Sequence, residues 1–92
     1  MLKRLSMLGT MTATLYRSEY LDGSYGRIES HKESPGTCYA GLFDAHGRSV
    51  FASTERLTRE GLDILIRRLR RKARVLDISL VSAVETKFAP QS

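Results

Sequence analysis

Ninety-two residues with 15 Lys+Arg against 10 Asp+Glu, a formal net charge of +5, 41% hydrophobic and 27% charged residues describe one basic globular domain. That balance excludes an acidic disordered tail, a collagen-like repeat and a disulfide-rich toxin. It also excludes a membrane-spanning helix, since no apolar run approaches the roughly 20 residues that cross a bilayer.

Residues 1–10 begin with a basic stretch, but Ser6 and Gly9 interrupt the apolar part, which is too short for the core of an export signal. They are expected to form an arm, a frayed first strand or a leader ahead of a second start at Met11. Residues 11–85 are expected to form a single domain and residues 86–92 a tail with Pro90. The lone Cys38 cannot form an internal disulfide, so a reducing cytoplasmic setting is expected.

Turn chemistry divides the first half. Asp22-Gly23 lies between residues 11–20 and 24–31, two stretches rich in Thr, Tyr and alternating polar residues, and predicts a hairpin. Ser34-Pro35-Gly36 predicts a second turn before residues 37–43. Asp44-Ala45-His46-Gly47 predicts a third before residues 48–53. Four strands with short connections read as an antiparallel meander.

The period then changes. Between residues 58 and 74, Leu62, Leu65, Ile66, Leu69 and Ala73 fall at spacings of three and four, which makes one helical stripe. Thr54 or Thr58 is a candidate cap, Glu60 suits the positive end of the helix dipole, and Arg70, Arg71, Lys72 and Arg74 suit the negative end. Gly61 inside this stretch predicts close packing against the sheet. Residues 75–84 alternate Leu76, Ile78 and Leu80 with Asp77, Ser79 and Val81, which predicts a fifth strand. The fold class is α+β in two layers, ββββαβ, with one helix on one sheet face. The last connection is expected to cross over and to lay the fifth strand parallel to a neighbour.

Two surfaces can bind something. On the helix, Arg67, Arg70, Arg71 and Arg74 project away from the stripe, with Arg68 and Lys72 toward one flank. Six cations within eight residues can neutralise phosphates and release counterions. They also match an acidic protein surface, and a plain solvated helix face with Asp63 four residues before Arg67 reads similarly. Ile64 lies off the stripe and is a candidate apolar anchor among these charges. On the sheet, strand alternation with Leu15, Ile28 and Leu42 turned to the helix puts Tyr16, Tyr20, Tyr25 and Tyr39 together on the uncovered face, with Arg17 and Arg27 nearby. Tyr16, Tyr25, Arg27 and Tyr39 are therefore candidates for base stacking or a protein contact. The structural alternative sends Tyr39 and Phe43 inward as core.

Catalysis is not expected. Cys38 is placed mid-strand on the core face, away from a base that could hold a thiolate. His46 and Asp44 belong to a turn, and His31 and His46 show no metal-ligand spacing with Cys38. No Gly-rich phosphate loop is present, and no cofactor is expected. The order of strands and helix is shared in outline with double-stranded-RNA-binding and integrase arm-binding domains, although none of their motif residues is placed here and layout carries no function. The leading expectation is a small non-enzymatic protein that docks on nucleic acid or a nucleoprotein complex through the basic helix. The rival is a phage-type inhibitor or adaptor, similar in size and style to anti-CRISPR proteins, that binds protein through the same helix and the tyrosine-bearing face. No membrane partner is expected, and a homodimer through bare faces or edge strands is a third outcome.

Overall fold

The computed structural model describes residues 12–85; residues 1–11 and 86–92, and the expectations for an arm and a tail, lie outside it. The elements run β1 (Thr12–Tyr20), β2 (Tyr25–His31), β3 (Thr37–Phe43), β4 (Ser49–Arg56), α1 (Arg59–Val75) and β5 (Leu80–Glu85). They form one five-stranded sheet in the order β4-β3-β2-β1-β5 with α1 on one face, the expected ββββαβ arrangement.

Gly23, Gly36 and Gly47 all take positive φ in the three turns, as those turns require. The Asp22 and Asp44 carboxylates then lock the first and third. Asp22 accepts from the Ser24 hydroxyl and backbone N–H, and Asp44 accepts from the N–H groups of His46 and Arg48. These bonds hold both carboxyl groups below the ordinary Asp range, led by the Ser24 hydroxyl at Asp22 and the Arg48 N–H at Asp44. The support is therefore complete above the unfolded Asp value and is lost as pH falls through the depressed ones.

The helix begins and ends on identifiable chemistry. Thr58 is its N-cap, with a hydroxyl that accepts from the Gly61 N–H at 2.8 Å. At the other end the Asp77 N–H reaches the Arg74 carbonyl and the Ile78 N–H reaches Ala73, the paired bonds of a Schellman closure. Asp77 supplies the left-handed residue at φ 63°. This closure corrects the predicted fifth strand. Residues 75–79 are consumed by the helix end and its cap, Ile78 packs against the core, and β5 starts only at Leu80.

The strand direction also differs from expectation. The chain does cross over, from edge strand β4 to the opposite edge, but β5 lands beside β1 and antiparallel to it. Because β1 and β3 run one way and β2 and β4 the other, β5 is parallel to β4 without touching it.

The core lies between α1 and strands β1–β3. Leu62, Leu65, Leu69 and Ala73 pack on Ile28, Cys38, Ala40 and Leu42, and Phe51, Leu57, Ile66 and Ile78 close the margins. Each fully buried Leu or Ile contributes roughly 2 kcal/mol of transfer free energy.

A β-bulge in β1 reverses the predicted tyrosine placement. Thr14 pairs with Glu29 and Tyr16 with Ile28, so Leu15 is the extra residue. Beyond it the parity flips, and Tyr16, Ser18 and Tyr20 turn toward the helix side and are buried. The Tyr16 hydroxyl is buried without a hydrogen-bond partner among the described residues. A buried orphan hydroxyl costs stability, so Tyr16→Phe should raise unfolding free energy by about 1 kcal/mol in urea titration. A loss of similar size would show that the hydroxyl is satisfied in solution.

Candidate nucleic-acid interface

The outer side of α1 carries the basic strip. Arg67, Arg70, Arg71 and Arg74 are exposed, and none of them forms an ion pair among the described residues. Lys72 is half-buried and likewise unpaired. At a rise of about 1.5 Å per residue the strip is roughly 10 Å long. Arg68 differs. Its guanidinium donates to the Ser53 hydroxyl at 2.9 Å and pairs with Glu55 at 3.4 Å, so it ties the helix to β4. Intrahelical neutralisation is also slight, since Asp63 and Glu60 form no ion pair with the strip.

Along the seam between α1 and β4, Phe51, Arg68, Arg71, Lys72 and Val75 line an open recess of about 200 Å³. Its floor is aromatic and its walls are cationic. Sequence reading missed Phe51 and Glu55, although alternation in β4 carries the signal: Phe51, Ser53 and Glu55 are the half-buried, helix-facing positions between exposed neighbours. Ile64 is half-buried at the start of the strip, with Arg67 among its neighbours. It shares a shallow depression with Glu60, Asp63 and Arg67, on the first half of the helix.

The uncovered sheet face holds two of the four tyrosines. Tyr25 stacks on Phe43 with centroids 5.1 Å apart, and Tyr39 meets His31 edge-on at 4.8 Å. Tyr39 and Phe43 are thus outside the core, because Cys38, Ala40 and Leu42 take the inward positions of β3. Hydrogen bonds from Ser34 and Thr37 hold the Tyr39 hydroxyl below its ordinary pKa. Arg27 is paired with Glu29, which also meets His31 at 3.4 Å. A depression of about 220 Å³ lies over Gly41, between Arg27, Glu29, Tyr39 and Phe43. Tyr16 belongs to the opposite side of the sheet, for the reason given by the bulge. The surviving sheet candidates, Tyr25, Arg27 and Tyr39, therefore face away from the helix strip, and the two surfaces are separated by the thickness of the domain.

Cys38 is fully buried, its thiol directed toward the Glu55 and Arg56 carbonyls, and burial pushes its pKa up. His31 lies across the sheet from it, and Asp44 and His46 occupy the turn after the far end of β3. These four residues are not brought together. The Cys38 thiol should accordingly react with an aromatic disulfide reagent only upon unfolding; rapid labelling of the folded protein would contradict that placement.

No protein-family model matches this chain, and neither a curated protein nor a solved structure does. Among the described residues, no helix is long and apolar enough to cross a membrane.

Proposed function

We propose that this protein is a non-enzymatic, cytoplasmic binding protein that docks on nucleic acid, alone or within a nucleoprotein complex, through the outer side of α1. One observation carries the reading: Arg67, Arg70, Arg71 and Arg74 share the outer side of the helix, exposed and without a carboxylate partner among the described residues, with Lys72 on the flank toward β4. Arg17, Arg27, Arg59 and Arg68, by contrast, each pair with a carboxylate. Cations clustered facing water along a rigid rod are available as phosphate ligands, and each phosphate neutralised releases condensed counterion. Arg is also the side chain best fitted to bidentate phosphate contact. The strip carries no base-reading signature, so the affinity is largely independent of sequence.

A duplex lying along the strip meets three or four of these cations at once. The binding constant should then fall with salt at a log–log slope of about −3 to −4, from 0.9 per phosphate, with micromolar dissociation constants near physiological salt. Fluorescence anisotropy with duplex and single-stranded DNA and RNA at low and moderate salt measures this. Absence of binding at low salt, or binding indifferent to salt, overturns the reading. A stable salt-indifferent complex with one protein would instead favour an inhibitor or adaptor.

A further inference from the structure

The two edges of the sheet differ in kind. β4 ends it packed against the helix and braced to it through Arg68, with Glu55 and Arg56 following the uncharged residues 49–54. β5 carries no charge from Leu80 to Val84, and all six of its residues are exposed. Leu80 is 46% exposed, Val81 57% and Val84 63%. Leu21, whose N–H bonds the Ser79 carbonyl beside this strand, is 76% exposed. Among the described residues, the large exposed hydrophobics fall on β5, on the helix end and loop leading into it, and on the turn bonded to that loop; only Val50 lies elsewhere. The helix packs on β4, β3 and β2, and the packed neighbour of β5 is β1.

An edge strand presents open backbone donors and acceptors, and folded proteins blunt such edges with charge, Pro or a covering element. β5 has Glu85 at its far end and none of these devices within its apolar stretch. Exposed apolar side chains along an open strand edge invite pairing with another strand. We propose that β5 pairs antiparallel with β5 of a second copy of this chain, extending the sheet across a two-fold axis into a dimer that carries two basic helices. Self-pairing suits this strand for a physical reason. An antiparallel edge contact is isologous, so the strand must be compatible with itself. Because residues 80–84 are uncharged, any pairing centred there sets apolar or small side chains against one another and sends the two Glu85 carboxylates to opposite ends. A polyanion is no candidate for this edge, whose one charged residue is Glu85, paired with Arg59 at the start of the helix. The functional consequence rests on the nucleic-acid reading: two strips on one particle make binding to a long duplex bivalent, with the second contact at high effective concentration.

Sedimentation equilibrium of the full chain without nucleic acid tests the proposal independently of that reading. The expected particle has twice the 10.4 kDa chain mass at micromolar concentration. Val84→Lys, at an exposed site opposite Arg17 of β1, should give a monomer that still unfolds cooperatively, at a Tm lowered by the lost dimer contact. Thr54→Lys on the β4 edge should leave the dimer in place. A wild-type monomer at every concentration overturns the proposal, as does a dimer that survives Val84→Lys.

Discussion

Gly61→Ala is expected to lower the unfolding free energy by at least about 3 kcal/mol, the upper range for forcing atoms into packed space. A Cβ at residue 61 would overlap the Arg56 carbonyl oxygen, which is backbone and cannot swing aside. The same residue donates its N–H to the Thr58 cap, so the helix start is pinned from two directions. For a domain of this size the change corresponds to a fall in Tm of roughly 10–20 °C. Arg70→Ala, exposed on the same helix, should stay within about 0.5 kcal/mol. A Gly61→Ala cost below about 1 kcal/mol would mean that the helix is not seated against the end of β4. The seat matters for function because it fixes the direction in which the arginines point.

The second large effect concerns charge placement. Arg67, Arg71 and Arg74 replaced together by Glu should reduce the salt slope by about one unit per residue and weaken low-salt affinity for duplex by about 100-fold or more. A control variant reversing Arg17, Lys32 and Arg48, all exposed away from the strip, carries the same net charge. Compared at moderate salt, where screening removes long-range attraction, it should lose far less, because counterion release depends on local phosphate contact. Equal losses in the two variants would reduce the strip to general electrostatics. Arg68→Ala should affect binding less than Arg71→Ala, since the Arg68 guanidinium is already committed to Ser53 and Glu55.

Much of this architecture was legible in the chain. Turn residues Asp22-Gly23, Pro35-Gly36 and Asp44 to Gly47 marked the three hairpins because only certain residues accept those dihedrals. The Leu62, Leu65, Leu69 stripe marked the helix and its buried side. Two features were not legible. The bulge at Leu15 shifts strand parity by one and exchanges Tyr16 and Tyr20 for the opposite face; nothing in the residues 12–20 announces it, since Leu15 and Tyr16 both suit burial. The closure at Asp77 was read as strand because Leu76, Ile78 and Leu80 alternate, while the left-handed residue there is Asp where Gly is usual. The basic strip itself was evident from composition. That Arg68 alone in it is tied to carboxylate, and that Phe51 forms the floor beside it, depends on β4 lying against the helix, a long-range contact that local periodicity does not encode.

The central claim is that anionic ligand meets the back of α1 while the tyrosine-bearing side of the sheet stays free. Titration of isotope-labelled protein with a short DNA duplex at low salt, followed by amide and Arg side-chain NMR, tests it most directly. The account predicts shifts concentrated at residues 67–74 and at Phe51, with Tyr25, Arg27 and Tyr39 unmoved. Shifts centred on Tyr25, Arg27 and Tyr39, with the helix signals unchanged, would contradict it.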